Sequence, residues 1–316
     1  MSLAVLEPGF MTTVQDLGRT GYQRFGVPVS GAMDRFALMS ANALVGNSPG
    51  AAGLEAALNV PALLAQADCL VAGAGVGLGL EVEGRLLPLW MAIYIRRGWM
   101  VRLLCRPEGG WTYLAVAGGL DLPLVMGSRS TYLRGSFGGL DGRVLQAGDN
   151  LPAGAIPSSR LSLAGSSLPM ERRPAYSDTP RLAVLPGPQQ EAFTAGGLDT
   201  FFSNPYRLRP ESDRMGYRLQ GASIQHRGAA DILSQGLAPG AVQVPADGQP
   251  MVAMSDRQTT GGYTQVAVVA SADLPLLAQC PFDSGEVSFY PITLTEAQQR
   301  YRRLVQGLQD GIVSAE

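Results

Sequence analysis

The chain contains no lysine: all 24 of its basic residues are arginine. That absence removes a phosphate loop with its essential lysine, a Schiff-base mechanism and a biotin attachment site. There is one histidine, His226, too few for a histidine-rich metal centre, and a Ser-His-Asp triad would demand it in one specified role. Its setting in a loop of glycine and arginine predicts a surface position. The three cysteines, Cys69, Cys105 and Cys280, are odd in number and lie far apart in apolar surroundings. They read as reduced core thiols of a cytoplasmic protein, with neither a disulfide frame nor a metal site. Charge is scarce at 16% of residues, with a formal net charge of -2, so nothing draws the whole chain to nucleic acid or an anionic membrane. The opening MSLAVLEPGF lacks the basic and apolar regions of a signal peptide. The longest apolar stretch, CLVAGAGVGLGL, is about 12 residues where a membrane helix needs roughly 18, so a soluble protein is expected.

What is present is mostly strand. Short runs of alternating hydrophobic residues, such as AIYIRRGWMVRLL, WTYLAVAGG, GRVLQAGDNL, RLAVLPGP, TQVAVVAS and GEVSFYPIT, are closed by glycine, proline or aspartate. With 40 glycines and 22 prolines as punctuation, they predict a mainly β protein. GAGVGLG at 73–79 has glycine at every second position, a strand with one bare face instead of a dinucleotide loop. GAVQVPADGQPMVAM reads as a hairpin turning at Asp247-Gly248. PGPQQEAF reads as a proline-started helix whose Gln189 faces either a cleft or solvent. Two segments are clearly helical. MDRFALMSANALVGN has Asp34 as its cap and Gly46 as its stop, and LTEAQQRYRRLVQGLQDG has a capping box at Thr295 and Gln298 with Ala297, Tyr301, Leu304, Val305 and Leu308 on one face.

The chain also echoes itself: AVLEPG at 4–9 with AVLPGP at 183–188, QDLGRTGYQ at 15–23 with SDRMGYRLQG at 212–221, and AVAGGLDLPL at 115–124 with VVASADLPL at 268–276. These echoes predict two divergent β lobes, residues 1–170 and residues 171–316, the second ending in the C-terminal helix, joined near the polar segment 164–180.

Three loops carry an acid, an arginine and then glycine followed by tyrosine: TTVQDLGRTGYQ, SDRMGYRLQG and SDRQTTGGY. Arginine grips a carboxylate with a planar fork, glycine lets backbone N–H groups approach a ligand, and an aspartate held beside arginine stays ionised and accepts hydrogen bonds. A ligand with both a carboxylate and N–H donors fits this set. The candidate binding residues are Gln15, Asp16 and Arg19 in the first loop, Asp213, Arg214 and Tyr217 in the second, and Arg257, Thr259, Thr260, Gly261 and Gly262 around Asp256 in the third. Against this reading, each Asp-Arg pair taken alone is an ordinary ion pair in a polar turn, and Asp34 is an ordinary helix cap unless Ser30 takes that task.

The segments TTVQDLGRTGYQRFGVPVSGAMD, GPQ, SDRMGYRL, GAVQVPADGQP and DRQTTGGY, in this order over nearly the whole chain, resemble the allophanate hydrolase subunit 2 family, also called the KipA or biotin-dependent carboxyltransferase family. The resemblance implies two cyclophilin-like β-barrel lobes related by an internal pseudo-repeat, with a few short helices. It also implies partners: a subunit 1 or KipI-type protein, similar to the B component of 5-oxoprolinase, and a LamB/YcsF-type protein as the A component. The implied activity is that of the C component of an ATP-dependent 5-oxoprolinase, opening a small cyclic amide, with ATP engaged through the partner proteins. A chain of this length suits that role better than it suits a complete urea carboxylase. Two alternatives stand beside it: a carboxyltransferase component receiving carboxybiotin from a separate carrier, and a KipA-type regulatory protein that binds a KipI-like kinase inhibitor. Carried onto this sequence, the resemblance makes Asp256 and Asp34 the catalytic candidates, Asp256 holding a substrate N–H and Arg214 its carboxylate, with Asp16 and Arg19 completing the pocket.

Overall fold

The computed structural model describes residues 2–155 and 158–314. Its backbone divides into two compact units, one formed by Met1–Arg19, Ser30–Pro174 and Val305–Glu316, the other by Thr20–Val29 and Ala175–Leu304.

The first unit holds β1 (Ser2–Glu7), β2 (Met11–Gln15), α1 (Arg35–Leu44), β3 (Gly53–Ala57), β4 (Ala62–Ala65), β5 (Cys69–Gly75), β6 (Gly79–Val82), β7 (Arg85–Leu87), β8 (Ala92–Ile95), β9 (Met100–Leu104), β10 (Thr112–Val116) and β11 (Asn150–Pro152). These strands form a six-stranded sheet in the order β11-β1-β4-β9-β6-β7 and a five-stranded sheet in the order β2-β3-β10-β5-β8. α1 lies against β5 and β10 and buries Phe36, Leu38 and Leu44. β5 is buried at all seven positions, the pattern of a strand covered on both faces. The glycine run ends this strand instead of continuing it, because Gly75 adopts φ 109° and a Cβ there would overlap the Trp111 carbonyl. Cys69 and Cys105 are buried free thiols, pushed up to about 11 and about 12 by desolvation. The run GRVLQAGDNL yields only the short β11; its first half is a turn closed by Arg143 and Asp149.

The second unit holds β12 (Arg181–Pro186), α2 (Ala195–Ser203), β13 (Tyr206–Leu208), β14 (Gly216–Gly221), β15 (Asp231–Gly236), β16 (Ala241–Gln243), β17 (Met251–Ala253), β18 (Thr260–Tyr263), β19 (Gln265–Val269), α3 (Leu274–Ala278) and β20 (Glu286–Pro291), and most of α4 (Leu294–Gln309). Seven strands close into a barrel in the order β12-β19-β16-β17-β14-β13-β20, completed by parallel pairing of β20 with β12. β15 and β18 form a separate two-stranded ribbon. Closure removes the exposed edges of the seven strands, and the inward residues Val184, Val242, Val252, Leu219 and Phe289 are 0–1% exposed.

The mainly β expectation holds, and several local expectations change. The β16–β17 hairpin turns at Asp247-Gly248 as expected, with Gly248 at φ 74°. PGPQQEAF forms only a single 3-10 turn over Gln190–Ala192, and the α-helix begins after Thr194, whose hydroxyl accepts from Gly197 N at 2.9 Å. The last helix is capped two residues earlier than the pattern suggested, by Thr293 and Glu296, which bond each other's backbone N–H groups at 3.3 and 2.7 Å. Tyr301, expected on its buried face, is 45% exposed. His226 is half-buried, not a surface residue: its ring packs at a tilt of 36° against Phe193 with centroids 4.6 Å apart, and its Nε2 lies 2.9 Å from Thr264 Oγ1.

Candidate functional site

In the second unit the expected acid and arginine come together. Arg214 sits in the loop leading into β14, and Asp256 in the turn between β17 and β18. Asp256 N donates to the Arg214 carbonyl at 2.8 Å, so the two loops are tied backbone to backbone. The side chains then meet in a fork, Arg214 Nε to Asp256 Oδ2 at 2.8 Å and Nη2 to Oδ1 at 3.2 Å, with side chains 5% and 6% exposed. Two parallel hydrogen bonds, one bidentate contact in a desolvated setting, make this a firmly held pair. The fork that would grip a substrate carboxylate is therefore engaged by Asp256 in this structure.

The surrounding candidates divide by geometry. Asp213 is exposed, and its Oδ1 accepts from Met215 N and Gly216 N at 2.8 and 3.2 Å, shaping the turn that delivers Arg214. Arg257 is buried, donating to the carbonyls of Leu237 at 3.0 Å and Met254 at 3.3 Å. Tyr217 is wholly buried and donates to the Ala278 carbonyl at 3.0 Å. Thr259 accepts from Leu237 N through its carbonyl at 3.0 Å, and Thr260 opens β18 with its side chain exposed. Gly261 lies against the carboxamide of Gln243, where an added Cβ would come within 2.5 Å of Nε2. Gly262 follows it in the ribbon.

In the first unit, Asp16 is the hub of the loop after β2. Its Oδ1 accepts from Gly18 N at 2.7 Å, from Ser128 Oγ at 2.7 Å and from Ser130 Oγ, while Oδ2 accepts from Arg129 N at 2.6 Å. A carboxylate with this many donors fixes the backbone around it. Arg19 is 1% exposed, donates to the carbonyls of Ser130 and Val125, and places its guanidinium 4.9 Å from the Phe137 ring centroid. Gln15 is fully buried and donates to Thr13 Oγ1 at 3.0 Å and to the Thr131 carbonyl at 3.2 Å.

Asp34 is also fully buried and is itself the cap of α1, accepting from Ala37 N at 2.9 Å, so Ser30 does not take that task. Its own N–H donates to Tyr113 Oη at 2.7 Å, and Tyr113 in turn donates to Glu55 Oε2 at 2.7 Å, which also accepts from Met33 N at 2.7 Å. Burial, then the neighbouring Glu55 and Asp34 carboxylates, hold the Tyr113 hydroxyl well above the ordinary tyrosine range and keep it a donor.

Sequence reading did not find Ser128, Ser130, Glu55 or Tyr113. The hydroxyl-rich run GSRST at 127–131 was the visible signal for the first two. Glu55 and Tyr113 sit in apolar strands, and nothing local marks them.

These sites occur in a chain with clear relatives. The model of the carboxyltransferase domain, subdomain A and B, matches residues 25–291. The chain is 39% identical to the C subunit of 5-oxoprolinase from Escherichia coli (strain K12), over 95% of this chain and 96% of that protein. It is 33% identical to the urea amidolyase of Lachancea kluyveri over 97% of its own length, but spans only 18% of that larger protein. The crystal structure of the K. lactis urea amidolyase superposes with a TM-score of 0.90 at 28% identity, covering 99% of this chain and 21% of that one. By the extent of the family match and of these identities, the chain belongs to the carboxyltransferase domain family, subdomain A and B.

Proposed function

We propose that the chain serves as the C component of an ATP-dependent 5-oxoprolinase, opening the lactam of 5-oxo-L-proline to glutamate in the cytoplasm together with two partner proteins. The observation that carries this reading is the end-to-end match to the C subunit of the Escherichia coli 5-oxoprolinase, 95% of one chain against 96% of the other. The partners in this reading are a KipI-type protein as the B component and a LamB/YcsF-type protein as the A component, through which ATP enters. The Arg214–Asp256 pair is the polar centre in the proposal: the Arg214 guanidinium meets the carboxylate of the substrate, the Asp256 carboxylate accepts its amide N–H, and the Thr259–Gly262 segment flanks them. Asp213 and Arg257 hold the two loops that present the pair.

The test is co-expression with the partner chains and an assay of ATP-dependent glutamate release. The double variant Arg214→Ala, Asp256→Asn removes both charges at once, so neither is left buried and unpaired. Loss of at least about tenfold in kcat/KM in a folded double variant is expected, the worth of one charge-assisted hydrogen bond. Undiminished turnover would refute the site assignment.

A second reading, a carboxyltransferase component acting on an amide, is favoured by the match to urea amidolyases. Carboxybiotin would then arrive as a substrate on a separate carrier. Turnover that requires bicarbonate and is blocked by avidin would establish this reading in place of the first.

A further inference from the structure

The barrel of the second unit breaks register at one place. β16 and β19 pair regularly at Ala241 with Val268 and Val242 with Ala267, and then shift so that Gln243 stands opposite Gln265. Bulges of this kind re-aim side chains and gather near binding sites. Directly opposed residues on antiparallel strands share a face, which brings two carboxamides together. Gln243 is 8% exposed and Gln265 is 2% exposed, and the Nε2 of each is buried without a hydrogen-bond partner among the described residues. A third glutamine is anchored at the same break: Gln189 Oε1 accepts from Gln265 N at 3.2 Å and from Gln235 Nε2 at 3.0 Å. Gln235 stands opposite Gly261 in the ribbon, and Gly261 covers the Gln243 carboxamide with backbone alone.

Two amide nitrogens buried without acceptors weaken a fold, since each gives up its N–H bonds to water and gains none. Methionine would fill the same volume with no such loss. We infer that Gln243 and Gln265 form a recognition site for a small cyclic cis-amide, a ring in which a carbonyl and an N–H lie on one edge. The chemistry is complementary: a glutamine Nε2–H without an acceptor donates to the ring carbonyl, and the ring N–H on the same edge is left to the Asp256 carboxylate of the proposed site. Gly261 puts no side chain between the ribbon and the Gln243 carboxamide, and the Gln189–Gln235 bond is one tie between the ribbon and the strand break. Both a lactam and a cyclic ureide present this edge. Assigning the lactam as the natural ligand rests on the oxoprolinase reading above; the recognition site does not.

The test is calorimetric titration of the full-length chain with 5-oxo-L-proline, with 2-imidazolidinone, and with L-proline, which has the ring without the carbonyl. Binding of at least one cis-amide ring and none of L-proline is expected. The variants Gln243→Met and Gln265→Met are each expected to lose affinity at least tenfold while their thermal midpoints stay level or rise. A residue kept only for packing would show the opposite, unchanged affinity with a lowered midpoint. Should one variant fail to fold, the other decides alone, and Gln243→Glu, which keeps the shape and replaces the donor by a second acceptor, must also weaken binding. Wild-type binding of neither ring, or variants binding within twofold of wild type, overturns the inference. Wild-type oxoprolinase turnover with KM unchanged in Gln243→Met would sink the glutamine site and leave the functional reading intact. Ring binding lost in Gln243→Met, in a chain that supports no lactam hydrolysis with its partners, would do the reverse.

Discussion

Asp149 closes a turn in the first unit with three donors: Arg143 Nη1 and Nη2, each at 2.8 Å, and Gln146 N at 2.7 Å. The Arg143 guanidinium first, and the Gln146 N–H after it, hold this carboxyl below the usual carboxylate range. A depressed folded pKa gives stability that is present above the unfolded value, near 3.9, and lost as pH falls through the folded one. Asp149→Asn is therefore expected to cost about 1–3 kcal/mol in urea unfolding at pH 7, a difference that begins to shrink below about pH 4 and disappears only once the pH has fallen through the depressed folded pKa. A difference that does not shrink at all as the pH falls would show that the loss comes from packing. At this scale the motif SDRMGYRLQG alone offers Asp213 as the neighbour of Arg214, and Asp213 shapes a turn; the acid that bonds Arg214 is Asp256, 42 positions away, which the resemblance had set in the same pocket. Adjacency in sequence favours local backbone bonds, and a long, forked side chain is free to find its acid elsewhere.

Among the elements, α4 tests how well local rules set boundaries. The pattern at Thr295 and Gln298 satisfies a capping box, but the chain uses Thr293 and Glu296. Glu296 carries a full charge in the first turn, where the helix dipole favours an anion over the neutral Gln298. Bonding to the Thr293 N–H and hydroxyl lowers the pKa of Glu296. Thr293→Ala is expected to destabilise the protein by about 1 kcal/mol, while Thr295→Ala, on the exposed face, changes it by less than about half of that. Equal effects from the two would return the cap to Thr295. Strands were easier to read than this helix, since period-two alternation is set by burial across a sheet, and the same alternation placed β12, β16, β17, β19 and β20. The bulge at Gln243 was not readable, because a register shift depends on the partner strand and leaves no local mark.

At the level of the whole molecule, the first of the echoes in the sequence starts in a strand both times: residues 4–7 of AVLEPG lie in β1 and residues 183–186 of AVLPGP in β12. The third echo diverges, because LPL becomes helical in α3, where Asp273 precedes it, while the matching LPL at 122–124 remains irregular. Asp273 is 1% exposed, accepts from Ala183 N at 2.8 Å and from Arg300 Nη2 at 2.6 Å, and so joins β12, α3 and α4 within the second unit. Neither unit is a continuous stretch of chain. Residues 305–316 belong with the first unit, and no change of composition marks that return. Within that unit Leu308 is 4% exposed, Val313 and Ser167 exchange two backbone hydrogen bonds at 2.8 and 2.9 Å, and Gly311 lies close to Leu168 and Arg172. Truncation after Leu304 removes all of these contacts from the first unit. The burial of Leu308 alone is worth about 2 kcal/mol, so the truncated chain is expected to lose at least that much stability in urea. Leu308→Ala should reproduce a large part of the loss with the chain end intact. A truncated chain as stable as the full one would mean that the last residues decorate the first unit and do not complete it.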